Sequence, residues 1–350
     1  MRIVLMGNGP FAVPSFDRTA SSGHEIVCVV ARPAVPNQGK APPESPVVAW
    51  ARERGIPTYT PESINDSATV GWLTDLSADL LLVCDFGQIL RPEALAAARL
   101  GGINLHGSLL PRHRGAAPVQ WSILAGDTHA GVSVIHMTPG LDAGPVLTSS
   151  STRIDLAENA WMLEQRLSQL GVEPVLQAIA LLQRPSPPVG APQDRALATR
   201  APRLKKGDGE LHWDYPVAWI DRQIRGLQPW PGCFTHLDFP DGKSLRVLVH
   251  RATPLPWSDG LPAGHVGEWL TPEQASTIGL DASPQSLAVV VRDGCILLDQ
   301  VQPSGKRPMS GAEFLRGYSR MENLRFRVPQ APHPLLEMMM AMPPEIGRLA

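Results

Sequence analysis

Cysteine is scarce in this chain: four among 350 residues, at Cys28, Cys84, Cys233 and Cys295, with no Cys-x-x-Cys pair. That spacing argues against a disulfide scaffold or a zinc ribbon. Cys28 and Cys84 fall inside apolar strand-like runs, so the four are expected to be buried thiols in a reducing compartment. An excess of one charge is also lacking, with 31 Lys and Arg against 33 Asp and Glu. No global positive field marks a nucleic-acid binder, and any such surface must be a local patch. Apolar runs are too short to span a bilayer. The opening MRIVLMGNGPF carries one basic residue and too short an apolar stretch for a signal peptide, so a cytoplasmic protein is expected. No HExxH or Cys/His cluster occurs, and His113 lacks a second ligand at helical spacing, so no catalytic metal is expected. No GxSxG elbow surrounds Ser108, which reads as a hydrogen-bonding loop residue rather than a nucleophile.

What is present is an ordinary globular composition, 43% hydrophobic and 18% charged, long enough for two domains. The first half alternates strand-like and helical runs. Strands are expected at residues 2 to 6, 25 to 31, 79 to 84, 102 to 106 and 132 to 137. Helices are expected at 46 to 55, 91 to 100 and 118 to 126, with a longer one from near Glu158 that carries Leu163, Leu167 and Leu170 at i, i+4, i+7 spacing. Such alternation predicts an α/β, doubly wound domain to about residue 184. The Pro- and Ala-rich 184 to 201 stretch lacks periodicity and reads as a linker. Beyond it, a helix at 216 to 225, with Asp214 near its N-cap and Gly226 past its end, precedes short strands at 233 to 238, 245 to 251, 286 to 292 and 295 to 301. The turns Asp241-Gly242 and Asp293-Gly294 predict a small antiparallel barrel. Ser310 and Glu313 form a capping box for a closing helix. Residues 328 to 350 read as a tail, in which Met338 to Met340 could dock a short helix.

The chemistry concentrates in NLHGSLLPRHRGAAPVQW, residues 104 to 121, directly after an apolar strand, where open α/β sheets present ligands. Residues two apart on a strand share a face, so Asn104 and His106 can converge on one carbonyl oxygen. Asp142, in HMTPGLDAGPVL, is expected at a neighbouring strand end, where its carboxylate would pair with a charged His106. An oxyanion donor, a proton-holding imidazole and a carboxylate are a minimal set for acyl transfer to an amine without a covalent enzyme intermediate. Arg112 and Arg114 are either solvated loop charges or contacts to an anion or to the carbonyls that shape the loop. GNGPFA, residues 7 to 12, fits the G-x-G-x-x-A dinucleotide fingerprint, but no carboxylate follows at the end of the second strand. It reads instead as a tight strand-to-helix turn facing the site. Arg203, Lys205 and Lys206 form the only compact basic cluster, either solvated or able to neutralise RNA phosphates.

NLHGSLLPRHRGAAP with GLDAG resembles the folate-dependent formyltransferase superfamily. LKKGDGELHW, IRGLQPWPG and QPSGKRPMSGAEFLRG resemble the second domain of its tRNA-directed branch, and the match runs in order from Met1 to about Arg327. The resemblance implies a Rossmann-like formyltransferase domain (1 to 184), a linker (185 to 208), an OB-like, tRNA-binding β-barrel domain (209 to 327) and a tail (328 to 350). It implies transfer of the formyl group of 10-formyltetrahydrofolate, as co-substrate and without a metal, to the amino group of initiator methionyl-tRNA, in a protein expected to be a monomer. Asn104, His106 and Asp142 take the catalytic positions. The folate is implied to lie against Phe86, Gly87, Gln88, Ile89 and Leu90, the loop with Thr138 and Gly140, and a site shaped by Ser108, Leu109, Leu110 and Pro111. The tRNA is implied to meet Arg32, Lys40, Arg203, Lys205 and Lys206. The chain departs from the family at Asp85-Phe86, where an alanine-tyrosine pair is usual. The loop after the second strand offers only Arg32 and Lys40, and GNGPF replaces Gly-Thr-Pro-x-Phe. The alternatives are a 10-formyltetrahydrofolate hydrolase, an amino-sugar-nucleotide formyltransferase, and a non-catalytic RNA- or folate-binding protein.

Overall fold

The computed structural model describes residues 1 to 34, 43 to 256, 266 to 270, 286 to 318 and 325 to 342. The chain forms two units: residues 1 to 119, 128 to 154 and 162 to 203, and residues 120 to 127, 155 to 161 and 204 to 350. In chain order the elements up to residue 201 are β1 (Arg2–Gly7), α1 (Val13–Ala20), β2 (Glu25–Val30), α2 (Pro46–Glu53), β3 (Thr58–Tyr59), α3 (Ser67–Asp75), β4 (Leu80–Cys84), α4 (Pro92–Leu95) and β5 (Gly102–His106). After these come β6 (Arg114–Gly115), α5 (Pro118–Ala125), β7 (His129–His136), β8 (Val146–Arg153), α6 (Ala160–Leu170), α7 (Val172–Leu182) and β9 (Arg200–Ala201).

The first unit is built on a seven-stranded sheet of order β3-β2-β1-β4-β5-β7-β8. From β3 to β5 it is parallel, and its centre reads as parallel strands must: β4, Leu-Leu-Leu-Val-Cys, is buried throughout. Val4, Met6, Leu81, Val83, Phe86 and Leu90 share one core cluster on one side of this sheet. Truncating Met6, Leu81 or Leu90 to alanine is the type of change that costs about 2–5 kcal/mol.

Two strands differ from the expected parallel pattern. β7 runs antiparallel to β5, with Ile103 opposite His136 and His106 opposite Ser133, and β8 returns antiparallel to β7. The Ser-rich β8 was not expected from the sequence: it is an edge strand whose later residues alternate between half-buried and exposed, so it carries no apolar signature. The helix expected over 91 to 100 is confined to Pro92–Leu95, and the one expected near Glu158 begins at Ala160.

The second unit continues with α8 (Val217–Gly226), β10 (Cys233–Asp238), β11 (Ser244–Pro256), β12 (Trp269–Leu270), β13 (Leu287–Val291), β14 (Gly294–Pro303), β15 (Met309–Ser310), α9 (Gly311–Tyr318) and α10 (Pro334–Met340). Its antiparallel sheet has the order β10-β11-β14-β13-β12, with β15 on β14. Two register shifts in β11, around Arg251, give the long strand the local bend and twist that an OB-like curled sheet needs. Trp213, Phe314, Phe326 and Trp269 fill its centre, with Trp213 and Phe326 stacked at 5.4 Å.

At α8 it is Pro216, not Asp214, that occupies the N-cap, and the Val217 N–H is satisfied by Asp293 at 2.6 Å. Gly226 is the last helical residue. A Cβ there would meet Leu124 at 3.1 Å, so close packing rather than helix termination uses the glycine. The capping box forms as expected, Ser310 N–H donating to Glu313 at 2.8 Å and Glu313 N–H to Ser310 at 3.2 Å. Beyond residue 328 the chain forms α10, with Leu335 buried and the Trp219 indole N–H 3.1 Å from Met339 sulfur.

Candidate active site

β1 lies between β2 and β4, so the chain leaves it first to one side and then returns to the other. This makes the carboxyl ends of β1 and β4 the switch point where such sheets bind ligands. Gly7 is required there because a Cβ would stand 2.6 Å from the Cys84 carbonyl. GNGPFA is a single 3-10 turn, Pro10–Ala12, leading into α1. Within it, Asn8 ties three strand ends together. Its amide donates to the carbonyls of Asp85 (3.0 Å) and Phe86 (2.6 Å), and its side-chain oxygen accepts from the Arg32 N–H (2.7 Å). Asp85 has φ +50 and its carboxylate stands against Gly9. Desolvation among the strand ends raises its pKa, opposed by the Gly9 N–H and by Arg203.

Asn104 and His106 follow on β5, paired through Val83 to β4, and their side chains share a face. His106 is buried. Its Nε2 lies 2.9 Å from the His113 carbonyl, which can only accept, so Nε2 carries a proton and Nδ1 is turned to Asp142 Oδ2 at 3.7 Å. That separation suits charge pairing rather than a direct hydrogen bond. Because β7 is antiparallel, its end lies beside the start of β5, and the loop after it must double back to bring Asp142 to His106. Asp142 accomplishes this at φ +47, a conformation that aspartate tolerates, and its Oδ2 also accepts from the Gly115 N–H at 2.9 Å. The side chains of His106 and Asp142 are only 6% and 12% exposed.

The remaining expected residues divide by what they are already bonded to. Ser108 is fully buried. Its hydroxyl donates to Arg112 O at 2.7 Å and its carbonyl accepts from Ser133 at 2.8 Å, and the Ser133 hydroxyl also accepts from Leu110 N–H at 3.1 Å. Leu109 lies against Gly131, and Pro111 O accepts from Thr199 N–H at 3.4 Å. In the 86 to 90 loop, Phe86 and Leu90 belong to the core, and Gln88 holds Ile64 N–H and Glu62 O. Gly87 backbone and the Ile89 side chain remain open, while Leu141 and Gly140 are open on the 138 to 142 loop, where Thr138 hydroxyl reaches Gly140 O at 3.4 Å. Exposed glycine backbone beside the apolar Ile89 and Leu141 side chains suits a flat heteroaromatic ring.

Arg32 places its guanidinium over Gly87, and Arg203 is near enough to Asp85 to act on its charge. Lys205 and Lys206 are exposed at a 3-10 turn held by Asp208, which accepts from Lys205 N–H at 2.7 Å. Lys40 lies outside the described residues. Among the described residues no group of three His, Cys, Asp or Glu side chains could hold a metal ion.

Three residues at the site carried no sequence signal of their own. Asn8 occupies a variable position of a glycine motif. Gln193 and Thr199 lie in the aperiodic stretch, yet they bind the loops around His106. Gln193 oxygen accepts from Arg114 Nε at 3.0 Å, and its amide donates to the carbonyls of Asp142 (2.8 Å) and Gly144 (2.7 Å). Thr199 hydroxyl accepts from His113 N–H at 2.8 Å.

A parallel-to-mixed α/β sheet with Asn, His and Asp gathered beside its switch point, followed by a curled antiparallel sheet, defines a class of group-transfer protein. The chain belongs to the formyl transferase family: the Formyl transferase model matches residues 1–179, and the model for the Formyl transferase C-terminal domain matches residues 203–319. It is 45% identical over 329 residues to a methionyl-tRNA formyltransferase of Rhodopirellula baltica, covering 91% of this chain and 94% of that one. It is 39% identical over 319 residues to a methionyl-tRNA formyltransferase of Gluconobacter oxydans, covering 91% and 97%. Among solved structures it resembles HypX from Aquifex aeolicus in complex with tetrahydrofolic acid, with a TM-score of 0.57 at 16% identity. That match covers 90% of this chain but about half (47%) of HypX, and it speaks for the fold alone.

Proposed function

We infer that this chain transfers the formyl group of 10-formyltetrahydrofolate to the free amino group of methionyl-tRNA, giving the formylated initiator tRNA. Relatives of that name, 45% and 39% identical, span nearly their whole length in this chain, both family domains included. The single observation that carries the mechanism is the orientation of His106, with Nε2 donating to a backbone carbonyl and Nδ1 facing Asp142, on the strand face it shares with Asn104.

The amine attacks the formyl carbon and the carbonyl electrons move onto oxygen. Asn104 Nδ2 donates to that oxygen, and charged His106, balanced by Asp142, offsets its negative charge. Each preorganised donor of this kind contributes about 3 kcal/mol to lowering the barrier. Collapse breaks the bond to the folate nitrogen, and Asp142 relays the amine proton towards that nitrogen through water. The peptide groups at Gly87 and Gly140, with Ile89 and Leu141 beside them, hold the pterin. Arg32, Arg203, Lys205 and Lys206 take the tRNA phosphates. The working unit in this reading is a monomer, acting in the cytoplasm where initiator tRNA is charged.

Formyl transfer from 10-formyltetrahydrofolate to charged methionyl-tRNA, run beside uncharged tRNA and a no-acceptor control, tests this reading. Product only with charged tRNA is expected. Folate consumed without acceptor would mean hydrolysis, and absence of turnover would mean a binding protein.

A further inference from the structure

Both partners of the His106 ring are held by one stretch of chain far away in sequence. The His113 carbonyl is fixed by Thr199, whose hydroxyl accepts from His113 N–H (2.8 Å) and whose carbonyl accepts from Arg114 N–H (2.9 Å). β6 and β9 then pair in parallel, Arg114 with Arg200 and Gly115 with Ala201, and Ala117 N–H donates to Ala201 O at 3.2 Å. Gly115 has φ +135, and a side chain there would strike the Ala201 carbonyl, so this close approach admits only glycine. The same Gly115 supplies the N–H that Asp142 accepts.

At its other end, Ala191 exchanges two 2.8 Å hydrogen bonds with Val146, and Gln193 follows. The Gln193 amide is fully used. Its oxygen takes the fork of Arg114, at 3.0 Å from Nε and 2.6 Å from Nη2, and its two N–H groups go to the carbonyls of Asp142 and Gly144. Arg114 itself is partly desolvated, which lowers its pKa, and the nearby Asp142 opposes that shift.

We propose that residues 191 to 201 form a positioning strap for the catalytic corner, in which Gln193 sets the Asp142 loop against His106 and Thr199 sets the His113 carbonyl on the opposite ring nitrogen. A glutamine meets this need because one planar amide accepts from a guanidinium on one side and donates to two carbonyls on the other. A carboxylate would keep the first contact and lose both of the others. Gln193 touches no reacting atom and acts through Asp142, whose backbone is held at a positive φ and would relax without the two donors. The strap deepens the formyl-transfer reading and rests on it.

The test is formyl transfer by wild type, Gln193→Ala, Gln193→Glu and Thr199→Val, with Asp142→Ala alone and combined with Gln193→Ala. Both Gln193 variants should lower kcat by about ten- to a hundredfold, the scale of a small misplacement at a reacting centre, with KM for both substrates nearly unchanged. Melting temperature should move by less than about 3 °C. In the Asp142→Ala background, Gln193→Ala should add less than about a twofold loss, because the two act as one unit. A full additional loss in the double variant, or wild-type kcat in the single variants, overturns the inference.

Histidine-selective 15N NMR reads the contact without turnover. The His106 ring 15N shifts in Gln193→Glu should differ from those of wild type, in the direction that Asp142→Asn produces. A wild type that transfers no formyl would overturn the function while leaving this measurement decisive for the strap, and unchanged His106 signals would overturn the strap itself.

Discussion

Each unit buries a histidine against backbone carbonyls. His106 is 5% exposed and His333 is 1% exposed. His106 has its Nδ1 side open to the Asp142 carboxylate. His333 has Nδ1 accepting from Leu335 N–H at 3.2 Å as the N-cap of α10, and its Nε2 reaches Asp208 O at 3.2 Å. Its ring neighbours are His212, 5.0 Å away, and Trp219, 4.9 Å away. Burial first, then the neighbouring His212, pushes the His333 pKa down to about 4 against the pull of the Asp208 and Glu210 carbonyls. A helix N-terminus disfavours positive charge there as well. Burial is common to the two histidines, so burial alone does not single out a candidate catalytic residue. The group facing the second nitrogen distinguishes them: the Asp142 carboxylate at His106, and the Leu335 N–H at His333, whose burial and His212 neighbour keep that ring neutral.

The largest expected effects test the first half of that comparison. His106→Ala and Asn104→Ala should each lower kcat by about a hundredfold or more while tRNA binding stays near wild type, read by steady-state formyl transfer and filter binding. Asp142→Asn, which keeps shape and removes charge, should fall in the same range. Normal turnover in the His106 variant would break the comparison outright.

Next in size is the stability carried by His333. The unfolded chain binds its proton near 6.5 and the folded chain near 4, so the stabilising contribution is complete above about pH 6.5 and is lost as pH falls towards 4. Over that window the loss amounts to about 3 kcal/mol, measurable by urea denaturation at a series of pH values. His333→Asn, which retains an N-cap acceptor, should flatten the pH profile and leave formyl transfer at neutral pH unaltered. A slowed reaction in that variant would blur the distinction between the two histidines. The smallest effect belongs to the exposed basic pair: Lys205→Ala and Lys206→Ala should raise KM for tRNA and each reduce the slope of log affinity against log salt by about 1.

Much of the first unit was legible because parallel strands must be apolar and strand ends must carry the ligand groups. β4 and β5 announce themselves, and Asn104 and His106 share a face by simple alternation. The direction of β7 was not legible, since a short apolar run reads alike in either orientation, nor was β8, whose serines mark an edge rather than a core. The 191 to 201 stretch shows the same limit more sharply. Pro, Ala and polar residues without a period look like a spacer, yet Gln193 and Thr199 bond to groups 49 to 88 residues away in sequence. His333 was similarly hidden in an apparent tail, because its partners Gln223 and Asp208 precede it by 110 and 125 residues.

By itself the sequence determined the α/β class of the first half, the antiparallel second half, and the placing of Asn104 and His106 on one strand face, because these depend on periodicity and on local spacing. Only the tertiary structure decided which nitrogen of His106 holds its proton, how Asp142 returns from the far end of an antiparallel strand, and which distant amide holds it there. Those outcomes are matters of hydrogen-bond direction across long sequence separations, which no local pattern encodes.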